Sequence, residues 1–369
     1  MLKDFRSYGS LDVAFEGPLI ALTGENGAGK TNLIEALSLF SPGRGLRRAD
    51  LSEFPRAEGP GGFAISIEVE EEGERRHLGV GVEPVAGGRE RVARIDRAPA
   101  GSTRAFADHL RFVWLTPAMD GLFAGPAGDR RRFLDRLVLA VDPQHSSRYS
   151  QFERALRGRN RLLEQGGRNG AWLDALEREA AALAVAIAAA RLECVARLEA
   201  AILAARDEAS LFPWAEIALQ GDVEALTRER PAIEAEQAYR ETLSQERGRD
   251  AAAGRTLIGP HLSDLAVRHG PKAAPAAQCS TGEQKALLVG LVLGQAQVVS
   301  DMSGIAPLAL LDEVAAHFDP RRRAALFEAL TLIGGQVFVT GADPRAFEGL
   351  SARLYDVAGG RVTARPDQA

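Results

Sequence analysis

A glycine-rich segment near the N-terminus constrains the fold more than any other feature of this 369-residue chain. The segment Gly24-Glu25-Asn26-Gly27-Ala28-Gly29-Lys30-Thr31 matches the pattern Gly-x-x-x-x-Gly-Lys-(Ser/Thr). It follows the apolar, strand-like run PLIALT and precedes the amphipathic run TNLIEALSLF. A strand, a glycine loop and a helix in this order surround phosphate oxygens with backbone N–H groups and a helix N-terminus. The segment therefore predicts a nucleotide-binding α/β domain.

The residue types in this loop predict distinct roles. Lys30 is expected to reach the β- and γ-phosphates of ATP and to act in catalysis, and the hydroxyl of Thr31 is expected to ligate Mg²⁺. The residues of this segment expected to bind the nucleotide are Gly24, Asn26, Gly27, Ala28, Gly29, Lys30, Thr31 and Asn32.

A second motif, PLALLDE at 307–313, is an apolar run that ends in two acidic residues. In the presence of the phosphate loop, it is typical of a buried strand that delivers two carboxylates at its C-terminal end. Asp312 is expected to hold Mg²⁺, directly or through water, and Glu313 to polarise the attacking water in catalysis. Taken alone, the motif is also compatible with an ordinary strand that ends in an acidic turn.

A third motif, CSTGEQKALL at 279–288, places a polar run directly before an apolar one. Ser280 and Glu283 have the spacing of a capping box at the start of a helix. A cap does not require Gly282, which costs roughly 1 kcal/mol relative to alanine inside a helix. Close approach of a phosphate explains a residue without a Cβ atom there. Both interpretations stand, because a capped helix N-terminus is itself an anion site.

Patterning outside the motifs predicts two domains. The segment 63–73 alternates between apolar and polar residues, and two further strand-like segments follow it, so an antiparallel β-subdomain is expected. Between residues 129 and about 253 almost every segment has the pattern of a helix. The predicted fold is an α/β ATPase head over 1–124 and 255–369, with a helical insertion domain over 125–254.

The formal net charge of −5 gives no global reason to expect a nucleic-acid partner. A local excess of arginine between residues 129 and 168 does give a reason to expect DNA, because an arginine-rich face could neutralise DNA phosphates. The alternative is a solvated helix surface with internal ion pairs. Ten arginines occur there: Arg130, Arg131, Arg132, Arg136, Arg148, Arg154, Arg157, Arg159, Arg161 and Arg168. The candidate DNA contacts are Arg130, Arg131, Arg132, Arg157, Arg159 and Arg161.

The sequence contains no apolar run that reaches membrane-spanning length; the longest candidate, at 180–190, is short and alanine-rich. Cys194 and Cys279 form neither a disulfide framework nor a metal-binding pattern. We therefore expect a cytoplasmic protein without a membrane partner.

Together the motifs resemble the ATP-binding-cassette type of head shared by SMC-like DNA repair ATPases, and within that group the RecF family of bacterial recombination mediators. The resemblance runs nearly end to end, and transporter cassettes have no counterpart of RRRFLDR or RGRNRLL. The matching segments are FRSY at 5–8, GENGAGKTNLIEAL at 24–37, GDRRRFLDR at 128–136, YSQFERALRGRNRLL at 149–163, LIGPHLSDL at 257–265, STGEQK at 280–285 and HFDP at 317–320.

The resemblance implies a two-fold dimer that sandwiches two ATP molecules, with the signature motif of one copy capping the γ-phosphate held by the other. Ser280 and Gly282 are then expected to contact ATP in trans, and Asp319 to lie in the loop that crosses the dimer seam. The implied function is an ATP- and Mg²⁺-dependent mediator that grips DNA at single-strand gaps and works with RecR and RecO to help load RecA. A weak, DNA-stimulated ATPase is expected to act as its release switch.

The sequence also departs from related patterns. The segment GPHLSD at 259–264 lacks an arginine and an aspartate that are common in the family, Thr340 stands where transporter cassettes place a histidine, and no clear glutamine follows FVWLTP at 112–117. The last two absences favour slow hydrolysis. One alternative is the nucleotide-binding subunit of a transporter, disfavoured by the missing histidine and by the ~250 residues between Lys30 and the signature motif. Another is a nuclease-bearing relative, for which no acidic cluster beyond Asp312 and Glu313 is evident.

Overall fold

The structure, a computed structural model, describes residues 1–71, 73–85, 88–166, 169–206, 210–314 and 318–366. The chain divides into two compact units. We call Met1–Asp120 with Val292–Ala369 the head unit, and Gly121–Leu291 the helical unit. Arg168 of the arginine-rich segment and His317 of the HFDP motif lie outside the described residues.

Both units contain helices and strands. The strands are β1 (Leu2–Phe5), β2 (Tyr8–Leu11), β3 (Leu19–Thr23), β4 (Phe63–Glu71), β5 (Glu74–Val85), β6 (Gly88–Ile95), β7 (Ala98–Pro99), β8 (Phe112–Leu115), β9 (Ala215–Gln220), β10 (Asp264–His269), β11 (Ala274–Pro275), β12 (Leu308–Leu311), β13 (Val337–Gly341), β14 (Arg353–Ala358) and β15 (Arg361–Ala364). The α-helices are α1 (Lys30–Ser38), α2 (Ala127–Val141), α3 (His145–Glu164), α4 (Gly170–Ala204), α5 (Asp222–Glu229), α6 (Ala232–Gln245), α7 (Arg247–Ala253), α8 (Thr281–Ser303) and α9 (Pro320–Leu332). Short 3₁₀ helices span Leu51–Glu53, Thr103–Asp108, Pro117–Met119, Ala276–Gln278 and Pro344–Phe347.

The head unit contains a six-stranded sheet in the order β15-β14-β3-β13-β12-β8. Its strands are parallel except for β15, which pairs antiparallel with β14. Every residue of β3 and β13 is buried, as expected for parallel strands covered on both faces. Leu311 at the end of β12 pairs with Val339 of β13, and Gly341 at the end of β13 pairs with Thr23 of β3. The segments that follow these three strands therefore meet at one edge of the sheet, where ligands bind in open α/β folds.

A second, antiparallel sheet in the head unit has the order β2-β1-β4-β5-β6-β7. The predicted strand at 63–73 and its hairpin partners are confirmed as β4, β5 and β6, although β4 ends at Glu71. The rings of Phe5, Phe54 and Phe63 pack together at centroid distances of 5.3–5.8 Å and anchor this sheet.

The helical unit has its core between α3, α4, α5 and α6. Small residues of α4 such as Ala180, Ala184 and Ala188 are fully buried there and let Phe152 of α3 and Tyr239 of α6 pack closely. The apolar run at 180–190 is therefore part of a core helix.

A strand interrupts the segment between 129 and about 253, in which almost every stretch was expected to be helical. Residues Ala215–Gln220 form β9, whose burial alternates strictly and which pairs along its whole length with β10. This pairing attaches β10 to the helical unit, although the sequence patterning assigned everything after residue 254 to the head. The observed division falls inside α8, between Leu291 and Val292.

Helix α8 is, within the described part of the chain, the helix that is long and apolar enough to cross a membrane. The expectation that the run at 180–190 is the longest apolar candidate was therefore wrong. More than half of the most apolar stretch of α8 (56%) is buried inside the protein, as in a core helix. Leu287, Leu288 and Leu291, for example, are fully buried.

Candidate nucleotide-binding site

The phosphate loop joins β3 to α1 in the head unit, and two of its glycines are required by its shape. Gly24 has φ +150°, and a Cβ atom there would lie 2.3 Å from the carbonyl oxygen of Val357. Gly29 has φ +111°, and a Cβ atom would lie 2.9 Å from the hydroxyl oxygens of Ser7 and Tyr8. The hydroxyl of Tyr8 also donates to the carbonyl of Gly29 at 3.0 Å. Close contacts with the backbone of Val357 and with the side chains of Ser7 and Tyr8 therefore fix the loop.

Lys30, the first residue of α1, is 4% exposed and points back into the loop. Its ammonium donates to the carbonyl oxygens of Gly24 at 2.6 Å and Glu25 at 2.8 Å. Burial lowers the pKa of Lys30, and the nearby charges of Glu313 and Asp312 oppose this shift. Because an ammonium has three donor hydrogens, one remains for a phosphate oxygen.

The remaining predicted loop residues differ in their surroundings. Asn26 and Gly27 are exposed at the tip of the loop, and Ala28 is half-buried. The side-chain amide of Asn32 is held by the chain itself: it donates to the hydroxyl of Ser7 at 3.0 Å and accepts from the guanidinium of Arg47 at 3.1 Å. Among the predicted loop residues, Asn26 and Gly27 are therefore the most accessible to a phosphate bound at the N-terminus of α1.

Asp312 follows β12 directly and accepts two hydroxyl hydrogen bonds on the same oxygen. The hydroxyl of Thr31 donates to Oδ1 at 2.9 Å, and that of Thr340 donates to Oδ1 at 2.8 Å. Asp312 is buried, and Thr340 is fully buried. The sequence motifs predicted Thr31 and Asp312 as ligands of one Mg²⁺ ion. They gave no indication that Thr340, which stands at the place of a transporter histidine, contacts Asp312.

Thr31 and Asp312 fit a Mg²⁺ site. Hydroxyl and carboxylate oxygens are the hard ligands that Mg²⁺ prefers, and their 2.9 Å separation suits neighbouring corners of an octahedron with bonds of about 2.1 Å. Mg²⁺ in nucleotide sites takes one or two protein ligands, with phosphates and water as the others. A bound Mg²⁺ supplies positive charge against the β- and γ-phosphate oxygens. Among the described residues no group of three or more His, Cys, Asp or Glu side chains could hold a metal ion.

Glu313 has an uncommon backbone conformation. Its φ is +53°, in the left-handed region that non-glycine residues rarely adopt and that costs about 1–3 kcal/mol. Its backbone N–H donates to the hydroxyl oxygen of Thr340 at 2.9 Å. Glu313, the predicted catalytic residue, directly follows Asp312, the predicted metal ligand, at the end of β12.

The start of α8, in the helical unit, has the predicted capping box. The N–H of Glu283 donates to the hydroxyl of Ser280 at 3.4 Å, and the N–H of Ser280 donates to the carboxylate of Glu283 at 3.0 Å. Lys272 also pairs with Glu283, and these contacts, the Lys272 hydrogen bond above all, lower the pKa of Glu283 to about 2. A Cβ atom at Gly282 would meet only open space. Nothing within the described chain therefore requires glycine at that position.

Asp319 caps α9, as the sequence predicted. Its carboxylate accepts the backbone N–H groups of Arg321 at 3.0 Å and Arg322 at 3.1 Å, and Pro320 is the first helical residue. These hydrogen bonds, that from Arg322 first, lower the pKa of Asp319. The carboxylate is exposed and therefore remains accessible to a second molecule.

The predicted DNA contact at Arg159 is wrong. Its side chain is 0% exposed and pairs with Glu177 at 2.9 Å and Asp250 at 2.7 Å. Arg130 is only partly exposed, at 15%, and two of its nitrogens bind both oxygens of Asp264 at 2.8 Å. A charged residue in an arginine-rich segment looks like a surface residue in the sequence, and only its distant partners reveal that it is structural.

The other candidate arginines remain nearer the surface. Arg131 donates to the carbonyl of Ser263 at 2.7 Å, Arg132 pairs with Asp129, and Arg157 is 66% exposed. Arg157 and Arg161 share an exposed face of α3 with Arg154, which was missing from the candidate set. The spacing i, i+3, i+7 of these three residues on a helix was the signal that could have found Arg154.

The fold and the site define a P-loop ATPase of the class that includes SMC heads. Residues 1–361 match the family model of the RecF/RecN/SMC N terminal domain. The chain is 52% identical over 358 residues to the DNA replication and repair protein RecF of Allorhizobium ampelinum, covering 96% of this chain and 95% of that protein. It is 51% identical over 367 residues to RecF of Mesorhizobium japonicum, covering 100% and 97%. The chain belongs to the RecF family of DNA replication and repair proteins.

Solved structures confirm the predicted fold class. The structure of "the recombination mediator protein RecF-ATPrS in RecFOR pathway" superposes with a TM-score of 0.87 at 21% identity, covering 99% of this chain and 96% of that one. An SMC head domain from Pyrococcus furiosus superposes with a TM-score of 0.51 at 16% identity, covering 99% and 94%. Family membership sets aside the transporter alternative.

Proposed function

We propose that this chain is an ATP-dependent, DNA-binding recombination mediator. ATP joins two copies, the joined form grips duplex DNA near a single-strand gap, and slow hydrolysis releases it. ATP drives the assembly by mass action, because it binds the dimer better than the separate copies.

The head unit supplies the groups that bind and hydrolyse ATP. The ammonium of Lys30 donates to the β- and γ-phosphates, while Thr31 and Asp312 hold the metal. Glu313 accepts a hydrogen bond from the attacking water and orients it towards the γ-phosphate. Thr340 replaces the histidine of transporter cassettes and leaves no imidazole at that position, which supports slow turnover used for timing.

One observation carries the proposal of a shared site: the open space in front of Gly282. Ser280 and Glu283 satisfy each other within the helical unit, so the cap is complete without a ligand. Gly282 has no contact that forbids a side chain, yet glycine weakens the first turn of α8. A phosphate held by the phosphate loop of a second copy would explain this glycine, because a residue without a Cβ atom lets the phosphate approach the helix N-terminus closely. Asp319, exposed at the start of α9, is proposed to approach the same seam.

The DNA-contacting surface is proposed to include the exposed face of α3. Arg154, Arg157 and Arg161 lie on it, and Arg132 of α2 is also exposed. Guanidinium groups of this kind bind backbone phosphates, and the affinity should fall steeply with salt. By resemblance to the family, the DNA-bound dimer would act in the cytoplasm with RecR and RecO to help load RecA.

The test is the solution molar mass of Glu313→Gln, measured by light scattering with and without Mg-ATP. Removing the carboxylate should trap bound ATP, so we expect the mass to double only when Mg-ATP is present. Ser280→Arg in the same background places a bulky cation at the start of α8 and should keep the protein monomeric. A Glu313→Gln protein that stays monomeric at every ATP concentration contradicts the shared site.

The same preparation tests the DNA proposal. Binding of the Glu313→Gln protein to a gapped duplex should require Mg-ATP and should weaken as salt is raised. DNA binding that is equally strong for the monomeric Ser280→Arg form would separate DNA binding from ATP-driven assembly and contradict the gating mechanism.

A further inference from the structure

The hydroxyl of Thr340 donates one hydrogen bond and accepts another. Thr340 lies on β13, one residue beyond Val339, which pairs with Leu311, so its side chain is beside the end of β12. The hydroxyl donates to Oδ1 of Asp312 at 2.8 Å and accepts the backbone N–H of Glu313 at 2.9 Å. The side chain is 0% exposed, so water does not compete for either contact.

The direction of these hydrogen bonds is fixed by their chemistry. A backbone N–H can only donate, so the hydroxyl oxygen of Thr340 must accept from Glu313, and its single hydrogen must go to Asp312. The acceptor is a carboxylate, which strengthens the hydroxyl hydrogen bond. The same Oδ1 accepts the hydroxyl of Thr31 at 2.9 Å. One continuous chain of contacts thus runs from Glu313 through Thr340 and Asp312 to the phosphate loop.

This chain of contacts acts on a strained residue. With φ at +53°, Glu313 occupies a region that the backbone leaves readily unless its surroundings hold it. The hydrogen bond from its N–H to Thr340 fixes the orientation of the peptide between Asp312 and Glu313. The direction in which the Glu313 side chain leaves the backbone depends on that peptide.

We propose that Thr340 is a positioning residue for ATP hydrolysis. Its hydroxyl holds Glu313 in the left-handed conformation and couples that conformation to the Asp312 oxygen that Thr31 also contacts. Thr340 acts through Glu313 and, because its side chain is fully buried, does not contact the nucleotide itself. This inference rests on the proposed ATPase function and deepens it, because it assigns the residue that keeps the catalytic carboxylate in place.

The test compares two substitutions at position 340 by single-turnover hydrolysis and by equilibrium binding of Mg-ATP. Thr340→Val keeps the shape and loses the hydroxyl, whereas Thr340→Ser keeps the hydroxyl. We expect the valine variant to bind Mg-ATP nearly as the wild type does but to hydrolyse it on the order of 10- to 100-fold more slowly, as for a displaced catalytic group. The serine variant should hydrolyse ATP close to the wild-type rate. Thr340→Ala, which also lacks the hydroxyl, is measured alongside, so poor folding of the valine variant does not remove the test.

A second comparison separates positioning from general destabilisation. In the Glu313→Gln background, Thr340→Val should cause no further loss of hydrolysis, because the residue through which it acts is already inactive. A further loss, or a serine variant as slow as the valine variant, overturns the inference. A valine variant as fast as an active wild type overturns this inference alone. A wild type that hydrolyses no ATP, with or without DNA, overturns the proposed function as well.

Discussion

Thr31 and Asp312 are 281 positions apart in the chain, yet the hydroxyl of Thr31 donates to Oδ1 of Asp312 at 2.9 Å. Thr31 is the second residue of α1, and Asp312 directly follows β12. The contact exists because β12 and β3 lie on either side of β13 in the same parallel register, so the segments after both strands end at one edge of the sheet. Sheet topology therefore brings together the two side-chain oxygens that we propose as Mg²⁺ ligands.

Replacing Thr31 tests this metal site. Thr31→Val removes the hydroxyl and should lower the affinity for ATP by about tenfold or more when Mg²⁺ is present, because one oxygen ligand is lost. The affinity for ATP in EDTA should change little, because Lys30 and the loop N–H groups remain. Titration of a fluorescent ATP analogue with and without Mg²⁺ measures both values. Thr31→Ser is the matched control and should keep the Mg²⁺ enhancement; a valine variant that also keeps it would exclude Thr31 as a ligand.

Two arginines on α3 test the division between structural and DNA-contacting residues. Arg159 is fully buried between Glu177 and Asp250, so Arg159→Met leaves the buried Asp250 without its cation and leaves Glu177 with Arg247 alone. We expect the free energy of unfolding to fall by about 3–5 kcal/mol. Chemical denaturation in urea measures the change. A loss below about 1 kcal/mol would mean that the buried network contributes little to the fold.

Arg157, two positions earlier, is the matched exposed residue. Arg157→Gln should change the free energy of unfolding by no more than about 0.5 kcal/mol. It should weaken binding to gapped duplex DNA and reduce the slope of log affinity against log salt by about 1, as for one lost phosphate contact. Fluorescence anisotropy over a series of salt concentrations measures the slope. An unchanged slope would remove this face of α3 from the DNA interface.

What the sequence could predict depends on how far apart the interacting residues lie. The phosphate loop, the acidic strand end and the capping box of Ser280 and Glu283 are contiguous patterns, and all three have the expected local structure. Arg159 was misplaced because its partners Glu177 and Asp250 are distant in sequence and pair with it only after α3 and α4 pack together. Strand β9 was missed although its burial alternates, because it is a short segment between helices. The role that we propose for Thr340 depends on β13 lying beside β12, and no local sequence pattern indicates that neighbourhood.

Stability should depend on pH through His261. Burial lowers the pKa of His261 below its usual value of 6.5, with a hydrogen bond to the carbonyl of Thr256 opposing the shift and Arg131 adding to it. The ring also packs on Phe152, with centroids 5.8 Å apart. Below pH 6.5 the unfolded chain takes up a proton that the folded chain resists, so the free energy of unfolding should fall as the pH is lowered from 7 to 5.

Urea denaturation of the wild type and His261→Gln at both pH values measures this contribution. The side chain of glutamine does not titrate between pH 5 and pH 7. The free energy of unfolding of the variant should therefore fall less between pH 7 and pH 5 than that of the wild type. Equal losses in the two proteins would assign the pH dependence to other groups. The sign is informative as well, because a histidine with a raised pKa would make the wild type relatively more stable at pH 5.

Replacing Gly282 should change the free energy of unfolding and ATP-dependent dimerisation in opposite directions. Gly282 is the second residue of α8, and a Cβ atom there meets nothing within 4 Å. Gly282→Ala should therefore raise the free energy of unfolding by up to about 1 kcal/mol, because alanine favours the helix. The same methyl group should hinder a phosphate that approaches the helix N-terminus from a second copy, so ATP-dependent dimerisation should weaken.

Gly248 is the matched control, since it is the second residue of α7, is exposed and also leaves open space for a Cβ atom. Gly248→Ala should stabilise the chain to a similar extent and leave dimerisation unchanged. Urea denaturation and light scattering with Mg-ATP, both in the Glu313→Gln background, provide the two measurements. If Gly282→Ala is more stable and still dimerises as well as its parent, no phosphate approaches this glycine closely, and the capping box is the whole explanation of the motif. If only Gly282→Ala loses the dimer while both variants gain stability, the glycine serves a group that the second copy brings.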